Sequence, residues 1–554
     1  MRTASWLFAF GLGLRLLFWL ATPDRGAAWN LAFQGDAPVW QELATNAAAG
    51  APNELLRLPL RPPGMHWLVT HLWNGTDHVW LPRLVFVLLG ATIAPLVFAL
   101  LRRHLTPRAA TLAAALCACA TNLMLLSSGL HSELPYLVLL LVSWFDLDRL
   151  RQEPTAWVAI RWGALHAVLC LLRAEHTLTF AAFLFLLLVQ RAPQWRRTAI
   201  YAPLSLFVCL VPWHYLAWRQ VDTYNTTGAP SLPPAGYRAP GLLPWDAAAL
   251  ARLRTLPAFQ QGPCFQFVTD TMHARGKEQV QAIDLEVLRE AYGVWPEAIP
   301  RPFVCLYGGL NFFLGNTPEA AGGFSQAALD RLPPLVGGPS RYPPGLVQVL
   351  PRNGTLALSY PPHLDLLVHG YRAGLAELTA DPGSALTRIG QKLHYGLQGA
   401  TGGIGGYAIP IGLSGERRAV DLVTAHGSWA MLWRGAVLLL AVVGLWSLRR
   451  EAWLHAWLVF ALTKLVVVAA FFGYARQGAL CVPALAIGLA VAIDRLVLPR
   501  FPLLTRKHLG AVLLVGILVL ELFRCLAIDV LVDDRSTTST SGPTDHATHQ
   551  LQYR

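Results

Sequence analysis

Apolar residues in this chain fall in long blocks rather than alternating with polar ones. Nearly unbroken apolar stretches occupy about residues 4–21, 84–101, 109–126, 134–147, 157–172, 177–190, 199–217, 428–447, 452–471, 478–493 and 509–526. A helix needs roughly 20 apolar residues to cross a hydrocarbon core, where only helices and closed barrels satisfy every backbone donor and acceptor. The blocks predict an all-α polytopic membrane protein with about eleven transmembrane helices. Blocks 134–147, 157–172 and 177–190 are shorter than the rest.

Two long stretches lie between the blocks. The first, 22–82, holds Asp36–Ala49, in which Val39, Trp40, Leu43, Ala44 and Ala47 fall near helical spacing. Asp36 precedes Ala37 and Pro38, a pattern of N-cap and early-helix proline. Such a helix is expected along the membrane surface, with its Trp among the headgroups. The second stretch, 219–427, alternates Pro- and Gly-rich segments (228–244, 333–344) with helix-like runs near 246–256, 277–292, 363–379 and 384–398. The expected organisation is an N-terminal transmembrane module (1–218) carrying a first outward catalytic loop (22–82), then a mixed outward-facing domain (219–427) inserted between helices 7 and 8. C-terminal transmembrane helices (428–526) and a tail (527–554) follow. Within the tail, 533–554 is rich in Ser, Thr and His, a composition that cannot bury a core.

Composition sharpens this picture. Only 14% of the 554 residues are charged, against about a quarter in soluble domains, and 54% are hydrophobic. The net charge of +12 is placed unevenly. Arg102, Arg103 and Arg108, then Arg149 and Arg151, then Arg191, Arg196 and Arg197, then Arg449 and Arg450, then Arg495, Arg500, Arg506 and Lys507 fall in alternate connectors. The connector 127–133 has no Lys or Arg, and 472–477 has only Arg476. Positive charge collects on the cytoplasmic side, which predicts an N-terminus inside and the large loop and C-terminus outside. The charge is a topology signal, with no basic stripe for nucleic acid. The first block has no convincing small-residue cleavage site and contains Arg15, so it reads as a retained anchor.

Cys117, Cys119, Cys170, Cys209, Cys481 and Cys525 fall in or beside apolar blocks and read as small apolar filler. Cys264 and Cys305 are the pair in the large loop, and a disulfide between them is one option if that side is oxidising. No His or Cys spacing resembles a zinc site.

Ionisable residues at membrane level are costly and read first as functional. They gather on the predicted outer face: Asp36 in the first loop, Glu133 in Ser-Gly-Leu-His131-Ser-Glu-Leu-Pro, Arg173 and Glu175 in a tight hairpin, and Arg476 in Phe-Gly-Tyr474-Ala-Arg-Gln. Each has a plainer reading. Asp36 and Glu133 can be helix caps, Arg173 and Glu175 can pair with one another, and Arg476 can reach to headgroups.

The order of motifs is more specific than any one of them. Gln34-Gly-Asp36-Ala-Pro-Val-Trp, Leu60-Arg-Pro-Pro-Gly-Met-His-Trp, Ser132-Glu133-Leu-Pro and Leu171-Leu-Arg173-Ala-Glu175 come first. Val211-Pro-Trp-His-Tyr, Tyr307-Gly-Gly-Leu-Asn-Phe-Phe-Leu-Gly-Asn316, Asp381-Pro-Gly-Ser through Lys392, and Arg476 followed by Pro483 complete the series. Over about 4–495 this chain resembles a GT-C glycosyltransferase of the protein O-mannosyltransferase and lipid A aminoarabinose transferase type. It departs from that pattern in the extra sequence at about 225–300, and in Ala37, where many relatives carry a second acid; the lone acid speaks against a metal-dependent site, so no metal and no cofactor are expected.

The resemblance implies transfer of a sugar from a polyprenyl-phosphate donor to a glycan, lipid or protein acceptor on the outer face, with inversion. On that reading Asp36 and Glu133 are the catalytic candidates, with Asp36 as base. Arg173, Arg476 and Lys392 are candidates for the donor phosphate, and Glu175, His131, Asn316 and Tyr474 for the substrate cavity. Glu133 orients the acceptor or holds an arginine; Asn316 contacts the sugar or shapes its loop. Partners are the lipid-linked donor, membrane lipid and the acceptor, with no nucleic acid. Richness in Ala, Leu, Arg, Pro and Gly is that of a GC-rich bacterial coding sequence, which points to a cytoplasmic membrane. The alternative from another class is a transporter or lipid flippase, against which no matching halves or broken midplane helices are evident.

Overall fold

The computed structural model describes residues 2–21, 36–50, 58–76, 78–152, 155–190, 194–227, 243–254, 298–330, 361–401 and 428–497, with Leu356 and short stretches between 261 and 285. Among these the structure is helical, apart from one isolated bridge between Trp245 and Val280. In the N-terminal part the helices are α1 (Arg2–Ala21), α2 (Ala37–Ala48), α3 (Pro63–Leu72), α4 (Trp80–Leu101), α5 (Pro107–Cys119), α6 (Thr121–Ser128), α7 (Glu133–Gln152), α8 (Ala156–Leu172), α9 (His176–Val189) and α10 (Trp195–Thr227). They continue as α11 (Ala247–Leu253), α12 (Tyr307–Asn316), α13 (Pro361–Ala380), α14 (Pro382–Thr401), α15 (Ser428–Ser447), α16 (Ala452–Ala470), α17 (Ala475–Ala479) and α18 (Val482–Ala492).

Local chemistry sets many of these boundaries. Thr106 caps α5 by accepting from Ala109 N, with Pro107 at the first helical position, and Thr155 caps α8 by accepting from Val158 N. Asp381 Oδ1 accepts from Ser384 N at 3.1 Å where α14 begins. The α5–α6 pair bends by 51°. Arg15 fills that bend: its Nη1 donates to Gly11 O and Ala118 O, and its Nε donates to Ser127 Oγ at 3.0 Å. A side chain at Gly90 would collide with both Arg15 and Ser127, so only glycine leaves room.

By length and composition α4, α10 and α16 can each cross a membrane, and the bent α5–α6 pair would make a fourth span. Among the described residues the other expected segments are helical, and several of them are shorter or more charged. Helices α8, α9 and α18 have 17, 14 and 11 residues, and α7 carries Asp146, Asp148, Arg149 and Arg151 in its second half. Segment 509–526 and the tail lie outside the described residues. The bundle exposes large apolar side chains outward, among them Phe207, Val211, Leu462 and Val466.

The basic connectors converge at one end of this bundle. His104 Nε2 lies 2.9 Å from Asp148 Oδ2, Thr106 donates to Asp494, Arg151 donates to Gln190, and Arg495 donates to Ser447. The connectors carrying Asp36, His131, Glu133, Arg173 and Arg476 meet at other helix ends, so the alternation of charge along the chain is also an alternation in space. Cys264 and Cys305 stand as separate thiols.

Candidate active site

Asp36 occupies the N-cap position of α2, yet its side chain makes no capping hydrogen bond. Its carboxylate instead accepts from two arginines, Arg61 Nη1 on Oδ1 at 3.1 Å and Arg476 Nη1 on Oδ2 at 3.0 Å. Arg476 also lies 3.2 Å from His131 Nδ1 and 4.0 Å from Glu133 Oε2. Glu133 begins α7 and meets Arg173 Nη1 at 2.9 Å; Arg173 Nη1 also donates to Ser132 Oγ, and its Nε donates to Glu175 Oε1 at 2.6 Å. Lys464 Nζ closes the chain, 3.3 Å from the same Glu175 oxygen. One continuous network thus joins the first loop, the 131–133 connector, the 173–175 hairpin, α16 and the 474–476 segment.

Backbone contacts hold these segments in place. Leu306 N and Tyr307 N donate to Pro59 O and Leu60 O, which fixes the strand of chain leading into Arg61 against α12. Gly64 on α3 sits where a Cβ would lie 2.8 Å from Leu171 O, so α3 approaches the end of α8 just before Arg173. Gly473 N donates to Gly322 O at 2.9 Å, and a Cβ at Gly315 would lie 1.8 Å from Phe471 O. The loop carrying Tyr474 and Arg476 is therefore seated on the Gly-Asn element of the large loop.

The two acids differ in access. Asp36 is deeply surrounded by protein but keeps 31% of its side-chain surface open, whereas Glu133 keeps 3%. Burial alone would raise the Asp36 carboxyl; the guanidiniums of Arg476 and Arg61 outweigh it and hold the group well below the usual carboxylate range. Burial likewise opposes ionisation of Glu133 and of Glu175. Arg173, with Arg476 at the first and Lys464 at the second, draws each down to about 2. His131 is pushed down to about 4 by burial and by Arg476, so it is neutral near pH 7. Burial raises the Tyr474 hydroxyl, whose ring lies 5.1 Å beneath the Arg476 guanidinium. The arrangement is a row of fixed cations alternating with carboxylates, of which Asp36 keeps the most open side-chain surface and Glu133 the least.

Lys392 and Asn316 form a separate buried pair. Lys392 Nζ donates to Asn316 Oδ1 at 2.6 Å and to Ala469 O, while Asn316 Nδ2 donates to Phe312 O and to Ala470 O. Together they cap the last turn of α16, immediately before the loop that carries Tyr474 and Arg476. Two members of the charged network were not singled out in the sequence, Arg61 and Lys464. Each had a signal: Arg61 lies within the Leu-Arg-Pro-Pro lead-in, and Lys464 is a lone cation within an apolar block. Among the described residues no group of His, Cys, Asp and Glu has the form of a metal site.

No family model matches this chain, and no curated protein matches it. Among solved structures it is similar to the Archaeoglobus fulgidus oligosaccharyltransferase tethered with an acceptor peptide, at 14% identity and a TM-score of 0.41 over 98% of this chain. The chain spans 55% of the length of that protein. It is also similar to ArnT from Cupriavidus metallidurans bound to undecaprenyl phosphate, at 14% identity and a TM-score of 0.32, covering 88% of this chain and 77% of that one. Overlaps this loose are likenesses of outline, and none assigns a fold family or an activity.

Proposed function

We propose that this chain is an inverting membrane glycosyltransferase of the GT-C kind, moving a sugar from a polyprenyl-phosphate donor to an acceptor on the outer face. The observation that carries this reading is Asp36, an N-cap residue whose carboxylate is withdrawn from capping and set, still accessible, between Arg61 and Arg476. An acceptor hydroxyl is a weak nucleophile, and a carboxylate within hydrogen-bond reach takes its proton as the new bond forms. The leaving phosphate gains negative charge in the transition state, where fixed guanidiniums stabilise it more than the ground state. A phosphate leaving group needs no proton near neutral pH, so one base and a cationic clamp suffice.

On this reading the two functions are coupled. Before the donor arrives, the arginines hold Asp36 as a weak base. A phosphate drawing on Arg476 and Arg173 takes part of that stabilisation away, so Asp36 gains basicity when the donor is in place. Glu133, closed off and bound to Arg173, is assigned to holding the clamp. Lys392 and Asn316 are assigned to seating the loop that carries Arg476. His131, Glu175 and Tyr474 line the cluster, and the donor's lipid tail leaves between helices.

The test uses protein purified into lipid, a polyprenyl-phosphate donor labelled in its sugar, and membrane extract as acceptor. Asp36→Asn should bind the donor and fail to transfer label. Transfer by Asp36→Asn equal to that of the parent would remove Asp36 as base, and binding without transfer by either protein, across several sugars, would favour a carrier of lipid-linked substrates.

A further inference from the structure

Lys464 is the one lysine or arginine of α16, and its side chain keeps only 2% of its surface open. A cation within an apolar span is costly and is expected to have a partner. The Lys464 stem runs over the ring of Tyr136, with Nζ 4.6 Å from the centroid, and Nζ lies 3.3 Å from Glu175 Oε1. The packing of α16 on α9 sets this meeting. Thr463 and Thr179 touch hydroxyl to hydroxyl at 3.1 Å, and Glu175 lies one turn before Thr179. The register that pairs the threonines therefore also brings Lys464 to Glu175.

Glu175 holds the N-cap position of α9, yet its side chain makes no capping hydrogen bond. Its Oε1 is shared between Arg173 Nε at 2.6 Å and Lys464 Nζ. Seen from end to end, Arg61, Asp36, Arg476, Glu133, Arg173, Glu175 and Lys464 alternate in sign along one row. Lys464 is the cation beyond the last acid. Without it the row would end on a carboxylate, and the remaining three cations and three carboxylates would cancel among the described residues. Arg173 would then stand between Glu133 and a Glu175 that no other cation holds. With Lys464 present the row carries one positive charge in excess, and the pull of Glu175 on Arg173 is divided. Arg173 keeps 10% of its side-chain surface open, and its Nη2 takes no partner among the described residues.

Resting on the donor-phosphate role given to Arg173 above, we propose that Lys464 is a positioning residue for donor binding: it touches no substrate, but by neutralising Glu175 it leaves the Arg173 guanidinium free to meet the phosphate. A charge removed from such a poorly hydrated row is felt at the neighbouring groups far more than in water. A mechanical tie between α9 and α16 is already supplied by Thr179 and Thr463, and it requires no charge at position 464.

The experiment measures binding of undecaprenyl phosphate to the whole protein in phosphatidylcholine nanodiscs, with the unfolding midpoint of every variant recorded beside it. Lys464→Met is expected to weaken binding by about tenfold or more. In the Glu175→Gln background the same substitution is expected to cost less than about threefold, because the acid it balanced is gone. Label transfer at saturating donor should stay within about threefold of the parent, so the loss falls on KM rather than kcat. If Lys464→Met does not fold, Lys464→Gln, which can still donate to Glu175 but lacks the charge, replaces it with the same expectations. Binding by the variant as tight as the parent's, or an equal loss in both backgrounds, overturns this inference and leaves the glycosyltransferase reading standing. A parent protein that binds no undecaprenyl phosphate overturns both.

Discussion

Arg476 Nη1 lies 3.0 Å from Asp36 Oδ2, joining residues 440 positions apart in the chain. The pair is the hinge of the proposed chemistry, since one partner would take a proton and the other would meet the phosphate. Asp36→Asn is expected to lower transfer by about 10²–10⁴-fold, the usual contribution of a positioned base. Arg476→Gln is expected to lower it by about 10²–10³-fold, the effect of losing one charge-stabilising donor. Single-turnover rates with labelled donor, compared with donor affinity, check both: loss of affinity alone, with an unchanged rate at saturation, would contradict these roles.

Glu133 and Arg173 form a nearly closed ion pair at 2.9 Å. Removing Glu133 leaves Arg173 buried with Glu175 and Ser132 as its remaining partners, which costs about 1–3 kcal/mol of stability. Glu133→Gln should therefore lower the unfolding midpoint and, by loosening Arg173, weaken donor binding. The double variant Glu133→Gln with Arg173→Gln should be less destabilised than the sum of the two, as contacting residues are. Additive losses would show that the pair does not act as a unit.

Tyr136, His176 and His166 tie α7, α9 and α8 directly beneath the network. The Tyr136 hydroxyl lies 2.8 Å from His176 Nδ1, and His176 Nε2 lies 2.7 Å from His166 Nδ1. Tyr136→Phe keeps the ring under Lys464 and removes only the hydrogen bond. Polar bonds between helices in lipid contribute about 1 kcal/mol. A drop of that order in unfolding free energy is expected, with transfer reduced modestly because Glu133 and Glu175 are borne on the same helices. An unchanged midpoint would show the tie to be slack.

Gly315→Ala places a methyl group 1.8 Å from Phe471 O unless the backbone moves. Overpacking of this kind costs about 1–3 kcal/mol. Because Phe471 begins the loop bearing Tyr474 and Arg476, the expected signature is a fall in transfer larger than the fall in stability implies. Gly435→Ala, where a methyl meets nothing within 4 Å among the described residues, should not lower stability or transfer, since Ala is the better helix former. Equal effects at the two sites would detach the Gly-Asn element from the active loop.

Asp36, Glu133 and Glu175 all have folded-state affinities for protons below their ordinary values, the last two drawn to about 2. A depressed carboxylate contributes stability above its unfolded pKa and loses it as pH falls toward the folded value. His131, lowered to about 4 in the same cluster, adds a loss that begins near its ordinary value of about 6.5, so stability should decline from about pH 6.5 downward and more steeply below about pH 4.5, where the carboxylates join. Unfolding midpoints measured in nanodiscs across that range check the sign; a level profile down to about pH 5 would show that His131 does not titrate in this way. Lys392 shifts the other way in consequence: burial and then Arg388 lower it to about 8, so its cost is present below that pH and is relieved as pH rises toward 10.

The residue pattern by itself determined the helical class and placed Asp36, His131, Glu133, Arg173, Glu175 and Arg476 as candidates. Apolar block length and the cost of a charge in hydrocarbon are local quantities, readable one segment at a time. Helix ends were less legible: the α5–α6 bend depends on Arg15, Ser127 and Gly90 meeting from three segments, and no window of sequence contains all three. Which acid stays open and which is spent on an ion pair was likewise decided in space. Asp36 looked like a cap and Glu133 like its equal until Arg61 and Arg476 reached the first and Arg173 closed over the second. Lys392, a donor-phosphate candidate on the resemblance, meets Asn316 Oδ1 and Ala469 O at the end of α16, a contact no window of sequence shows. Charge pairing over hundreds of residues follows from how helices pack, and only the tertiary structure fixes which ion-paired carboxylate keeps an open side, as Asp36 does, and which is closed over, as Glu133 is.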